Sequence, residues 1–258
     1  MCAIAPPDEG SYSHAGIGYA NPDAVTQIAN GFSTTTYSYD QNGNLTQKTT
    51  YGVTTTYLWD YANRLIALGS GGATTTYGYD AFGSRVFQST ATTTTLYPFK
   101  WYSVASSTVS GATYATTTEY VFNGDTLVST VDQQFASGVA TGTPVAHYIH
   151  PDHLGSTNVV TDASGTVVQA LDYYPYGSTR ISSGQNAESR QYIGQYSDTT
   201  GLDYLNARYY DGSRGQFLTE DLANLCMHSL NKFVLNPSTI VVATTSDPWI
   251  LERGATGL

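Results

Sequence analysis

Thr34-Thr35-Thr36-Tyr37-Ser38-Tyr39-Asp40 decides the fold, because the chain repeats it. It returns as Thr54-Thr55-Thr56-Tyr57-Leu58-Trp59-Asp60 and again as Thr74-Thr75-Thr76-Tyr77-Gly78-Tyr79-Asp80. Start positions 34, 54 and 74 are evenly spaced, which is the mark of a stacked repeat. Each copy is β-branched and aromatic, so it reads as a strand with Tyr37 and Tyr39 on one face and Ser38 on the other. The aspartate ends the strand, and three residues on come Gly43, Asn63 and Gly83, residue types that tolerate positive φ. An apolar residue opens the return strand: Leu45, Leu65 and, one position later, Val86. Each copy is therefore expected to be a hairpin, with all three in one sheet.

This pattern resembles the tyrosine-aspartate (YD) repeat of the RHS family, which includes bacterial polymorphic toxins, the C components of insecticidal toxin complexes and the teneurin shell. The resemblance implies a β-spiral of hairpins that closes as a hollow shell. The residues marking the repeat here are Asp40, Gly43, Asp60, Asp80 and Gly83.

Composition narrows the function classes. Only 12% of the 258 residues are charged, while tyrosine reaches 22. Threonine, serine, asparagine and glycine carry the polarity, which suits a β-surface with hydroxyl ladders. The net charge of −10 repels phosphate backbones and anionic membranes, so nucleic acid is disfavoured as a partner. Two cysteines, Cys2 and Cys226, do not make a disulfide scaffold. No apolar run has signal-peptide character or reaches the length of a membrane span. Together with the resemblance, this leads us to expect a section or truncated copy of a longer secreted or cell-surface protein, bacterial in type.

Four segments follow. Residues 1–33 are irregular, with partial strands around Ile17-Gly18-Tyr19 and Val25-Thr26-Gln27-Ile28. Residues 34–146 hold the repeats and their drifting continuation. There, strands are predicted over Thr92 to Tyr97 and Thr116 to Phe122, with an Asn123-Gly124 hairpin turn. Ser106 to Thr113 reads as a polar connection, and 132–144 as a loop. Residues 147–221 change character: His153-Leu154-Gly155-Ser156-Thr157, then Tyr174-Pro175-Tyr176-Gly177, a polar loop over Ser182 to Arg190, and Gly201-Leu202-Asp203-Tyr204-Leu205-Asn206-Ala207-Arg208-Tyr209-Tyr210-Asp211. These motifs, in this order, resemble the RHS-repeat-associated core domain, whose pattern is carried here by His153, Gly155, Tyr176, Gly177, Gly201, Arg208, Tyr209 and Asp211. Residues 222–258 diverge, and a helix from about Glu220 to Val234 is predicted from its apolar spacing.

No motif for a metal, phosphate or nucleophile site stands out, and no cofactor is expected. His147, His150 and His153 read as part of a polar hairpin rather than a metal centre, because strand geometry turns His147 and His150 to opposite faces. Asp40-Gln41-Asn42-Gly43-Asn44 opens like a calcium loop, but Tyr51 stands where the twelfth-position carboxylate belongs. The resemblance implies one enzymatic role, aspartyl self-cleavage at the end of the core domain, for which Asp221 and Asp247 are the candidates; because the chain departs from the family's pattern after Asp221, efficient self-cleavage is not expected. Arg208 is expected to pair with a nearby aspartate. A rival binding reading takes Tyr37, Tyr57, Trp59 and Tyr77 as stacking surfaces for glycans; the alternative is that they pack between repeats. The expected fold is mainly β, a curved antiparallel sheet of hairpins with one short C-terminal helix. Its expected partners are the remainder of a longer shell or an effector domain.

Overall fold

The computed structural model of the chain describes residues 10–16, 21–184 and 188–220. Among them, sixteen strands form one sheet in which every strand pairs with its sequence neighbours. Ser11–His14 (β1) and Val25–Ala29 (β2) come first. The repeats supply Thr34–Tyr39 (β3), Leu45–Thr50 (β4), Val53–Trp59 (β5), Leu65–Ser70 (β6), Ala73–Tyr79 (β7) and Arg85–Ser89 (β8). Thr94–Phe99 (β9), Tyr102–Val109 (β10), Ala112–Asn123 (β11), Thr126–Ala136 (β12) and Val139–Pro151 (β13) follow. Thr157–Asp162 (β14), Val167–Tyr173 (β15) and Thr179–Gly184 (β16) complete the order. A second sheet holds Tyr196–Ser197 (β17), Asp203–Leu205 (β18), Arg208–Asp211 (β19) and Gln216–Phe217 (β20).

The three repeats are hairpins at equivalent positions of one sheet, as their spacing requires. Tyr39 pairs with Leu45, Trp59 with Leu65 and Tyr79 with Arg85. The return-strand opener of the third copy is thus Arg85, not Val86. The twenty-residue spacing is kept, each hairpin has the same irregularity just before its second aromatic, and an arginine fills the position of a core leucine. Each turn has one design. Asp40 N–H bonds to the Asn44 carbonyl, and Gly43 N–H returns to the Asp40 carbonyl. The Asp40 carboxylate then accepts the N–H groups of Asn42 and Asn44 at 2.8 and 2.9 Å. Asp60, Asp80, Asp152 and Asp162 do the same two and four residues ahead. An aspartate is needed because one short side chain must satisfy two otherwise orphaned donors.

The second aromatic of each copy staples it to the copy before. Tyr39 Oη donates to the Val25 carbonyl at 2.8 Å, Trp59 Nε1 to Leu45 at 2.7 Å and Tyr79 Oη to Leu65 at 2.6 Å. Tryptophan substitutes for tyrosine here because its indole N–H supplies the same donor. The accepting residues Val25, Leu45 and Leu65 are at most 1% exposed, so β2 belongs to the same repeat series. Twenty residues beyond Tyr79 stands Phe99, which has no donor, and the regular repeat ends there. Hydroxyl ladders run between strands, as at Thr35–Thr50 and Thr49–Thr54, both 2.9 Å. Tyr79→Phe will remove one staple and lower stability by about 1 kcal/mol, read as a shift in the urea midpoint at unchanged slope.

Several expectations need correction. Ser106 to Thr113 is no connection, since β10 and β11 pair directly across a turn at Ser110-Gly111. Residues 132–144 are no loop; β12 and β13 run through them. Long alternations of small polar residues mimic loops in composition, yet here they have strand neighbours on both sides. β13 also crosses the expected boundary at 146/147 without a break. The polar loop begins as β16 and ends in buried Glu188 and Arg190. Ile17-Gly18-Tyr19 and the helix after Glu220 lie outside the described residues.

Candidate functional site

The four-stranded sheet packs its inner face on the large one. Leu202, Tyr204, Tyr209 and Leu218 share a core with Val25, Ile28, Tyr37, Leu45, Tyr57, Leu65, Leu68 and Tyr77. Tyr196 also reaches a second core of Tyr120, Leu127, Ile149 and Val160. Backbone bonds tie the segment that carries the small sheet to the large one on both flanks: Leu45 N–H to the carbonyl of Leu218, just after β20, at 2.9 Å, and Thr157 N–H to the carbonyl of Gln191, ahead of β17, at 3.0 Å. The chain from Gln191 to Leu218, which carries the small sheet, therefore bonds to both β4 and β14, ten strands apart in the order of the meander.

Arg85 is the centre of this contact. It is 4% exposed, and its guanidinium lies 2.7 Å from the Asp198 carboxylate. Five tyrosine rings surround it, with Tyr204 at 4.5 Å and Tyr97 at 4.8 Å from its centre, then Tyr196, Tyr77 and Tyr209. Burial opposes the guanidinium charge, but Asp198 outweighs it and holds Arg85 protonated. Burial likewise raises the Asp198 pKa, with Arg85 opposing. Asp198 keeps the repeat turn of its own hairpin, Asp198 N–H to Leu202 and Gly201 N–H to Asp198, while its carboxylate bonds Arg85.

A second buried pair sits nearby. Arg214 lies 3.2 Å and Lys48 3.4 Å from Asp211, and Arg214 stacks over Tyr37 at 4.7 Å. Burial pushes the Asp211 pKa up, but Lys48, Arg214 and Ser213 together bring it below the usual range. Two further acids have no cation at ion-pair distance among the described residues. Burial raises Asp203 to about 7, opposed by a Ser197 hydrogen bond and reinforced by Asp198 and Asp211. Glu188, 2% exposed, is also raised to about 7 by burial; its carboxylate accepts the Arg190 backbone N–H, and Oε2 has no partner.

Two cavities flank the contact. One, of about 1110 Å³, has a wall rich in threonine, including Thr55, Thr75, Thr93, Thr118 and Thr200, with Glu188 and Asp211 beside them. The other, of about 820 Å³, opens beside Arg190 and Lys100.

The residues singled out in the sequence fall as follows. Asp40, Gly43, Asp60, Asp80 and Gly83 build the repeat turns, and Gly155 and Gly201 hold the same turn with positive φ. His153 is exposed in its turn. His150 meets Thr161 Oγ1 at 3.1 Å and His147 meets Asp132 at 3.4 Å, on different partners. Tyr209 is core, 5.2 Å from both Tyr77 and Tyr204. The Tyr176 carbonyl accepts Tyr210 Oη at 2.9 Å. Arg208 stacks on Phe217 at 3.8 Å, and among the described residues Arg214 and Arg85 make the buried pairs to Asp211 and Asp198. Tyr37, Tyr57 and Tyr77 are 5–7% exposed, so their rings are enclosed between the sheets rather than presented to solvent, while Trp59 is partly buried against the same core. Asp221 and Asp247 lie outside the described residues. Arg85, Asp198, Glu188 and Arg190 were not singled out. The signal for Arg85 was its place in the series 25, 45, 65, 85.

Gly177 combines φ +91° with a closed space, since an added Cβ would strike the Tyr192 ring. Gly177→Ala will therefore cost about 2 kcal/mol or more, read as a lowered melting temperature.

Comparison with known proteins agrees with this architecture. A family described as the teneurin YD-shell matches residues 141–242. Toxin subunit YenC1 of Yersinia entomophaga is 31% identical over 114 residues, 41% of this chain and 12% of its own length. The double-stranded DNA deaminase toxin A of Burkholderia cenocepacia is 31% identical over 80 residues, 29% of this chain and 6% of its own. The crystal structure of TcdB2-TccC3 superposes with a TM-score of 0.58 at 20% identity, over 74% of this chain and 12% of that one. A Photorhabdus luminescens Tc holotoxin pore gives 0.57 at the same identity and coverage. The chain thus spans about an eighth of the length of YenC1 and of the matched TcdB2-TccC3 chain.

Proposed function

Because the chain is a YD-repeat protein of the RHS family, we propose that it is a structural section of a YD shell that encloses or presents a C-terminal effector. The reading rests on one observation above all: the segment that carries the small sheet, from Gln191 to Leu218, is held at both β4 and β14 of the same meander. Such contacts fit a sheet that curves around an internal plug, the geometry of a shell wall. The partners in this reading are the remainder of a longer shell and the effector, and the setting is a secreted or cell-surface toxin assembly. Similarity to proteins named as toxin subunits supports that setting. No helix among the described residues is long and apolar enough to cross a membrane. The hydroxyl-lined cavity suits an enclosing role, since threonine walls offer hydrogen bonds without a fixed apolar mould.

The test is protease protection. An unstructured reporter segment appended after Leu258 will be digested freely in this chain. Joining the preceding shell repeats of a relative such as YenC1 to its N-terminal side will protect the segment. Equal digestion in both would remove the encapsulating role.

A further inference from the structure

We propose that the cavity of about 820 Å³ is a binding site for a monocarboxylate with an aromatic or apolar body. Its lining brings together Arg85, Tyr97, Lys100, Phe122, Arg190 and Tyr196. This is an unusual concentration of basic residues in a chain that has only ten lysines and arginines and a net charge of −10.

Arg190 carries the argument. It is 8% exposed, and no carboxylate among the described residues lies at ion-pair distance from it. A guanidinium has five N–H donors. Here one bond runs to the Lys100 carbonyl at 3.1 Å and a long one to the Gly194 carbonyl at 3.4 Å, while Nε has no hydrogen-bond partner among the described residues. Glu188, two residues back, gives its carboxylate to the Arg190 backbone rather than to the guanidinium. The rings of Tyr196 at 4.0 Å, Tyr120 at 5.1 Å and Phe122 at 5.5 Å lie over the cation. A buried cation short of acceptors beside an open space is complementary to an anion.

The charge of that anion follows from the rest of the lining. Arg85 is already neutralised by Asp198. Lys100, half exposed, reaches out to fully exposed Asp125 at 2.9 Å and can turn inward to a ligand. Asp80 and Asp125 also line the space and repel a dianion. One guanidinium with no carboxylate at ion-pair distance among the described residues suits one negative charge, and a planar carboxylate fits its fork. The aromatic walls then favour an apolar body over a bare ion, in a volume usual for small-molecule sites.

Calorimetric titration of sodium benzoate, sodium acetate and inorganic phosphate into the chain at neutral pH tests the proposal. Benzoate should bind with a submillimolar Kd, at least ~10-fold tighter than acetate or phosphate. Arg190→Lys should weaken benzoate by ~10-fold or more, and Lys100→Ala by several-fold. Lys100 is a surface residue, so its variant keeps the test valid if Arg190→Lys does not fold. Benzoate should also shift the amide resonances of Phe122 and Tyr196. No heat with benzoate at about 10 mM, phosphate binding tighter than benzoate, acetate binding as tightly as benzoate, unchanged affinity in Lys100→Ala, or resonance shifts confined to other regions would each overturn it.

Discussion

Replacing Arg85 by leucine will destabilise the chain by about 3–5 kcal/mol, although leucine is what the repeat carries at positions 45 and 65. The substitution restores the repeat pattern and ruins the contact built on its exception. Asp198, whose side chain is 3% exposed, is left as an unpaired buried charge, and five tyrosine rings lose their cation. The double variant Arg85→Leu/Asp198→Leu should recover most of the loss, because removing both partners of a buried pair costs far less than removing one. Urea unfolding of the wild type, both single variants and the double variant measures the coupling. A single Arg85→Leu variant as stable as wild type would show that the pair does not hold the sheets together.

Stability should fall as pH rises from about 4.5 to about 7, the reverse of the usual acid-side behaviour. Glu188 drives the effect, since burial raises its pKa from 4.5 to about 7 against the opposing Arg190 N–H and charge. Below the unfolded value both states hold the proton, and the full stability is present. Between the two values the unfolded carboxyl ionises while the folded one stays protonated, so the folded state binds more protons and loses stability as pH rises. Above about 7 the loss is complete, on the order of 3 kcal/mol for this group. Asp203, also raised to about 7, acts in the same direction. Asp60, Asp162 and Asp211, whose pKa values are lowered, act oppositely, but only as pH falls below the ordinary carboxylate range. Glu188→Gln keeps the shape without the ionisation, so it should flatten the slope and be the more stable protein at pH 8. Chemical denaturation at several pH values between 5 and 8 reads both effects. A wild-type profile that rises with pH over this window, or an unchanged slope in Glu188→Gln, would contradict the assignment.

The sheet was legible because the repeat is written in residues with single physical jobs. Asp40, Asp60 and Asp80 accept two turn N–H groups each, and Tyr39, Trp59 and Tyr79 each donate to the preceding copy. Those jobs depend on local spacing, which periodicity exposes. The strands over 102–144 were partly missed because alanine, serine and threonine runs pair well yet read as loops. The contact between the sheets was hidden for another reason. Arg85 and Asp198 are 113 residues apart, and neither has a motif of its own. Only the interruption of the series Val25, Leu45, Leu65 by a charged residue marked the place. The aromatic faces offered as glycan platforms were legible as a common face, but their burial depends on the small sheet that covers them.

The shell reading is tested most directly by electron cryo-microscopy of this chain joined to the shell repeats that precede the matched region in YenC1. The outer edge of β1, Ser11–His14, which among the described residues pairs only with β2, should then carry a further antiparallel strand. The sheet should continue as one spiral wall, with β17–β20 inside it and Arg85 still on Asp198. A β1 edge left open, with the added repeats folded as a separate body, would contradict the account.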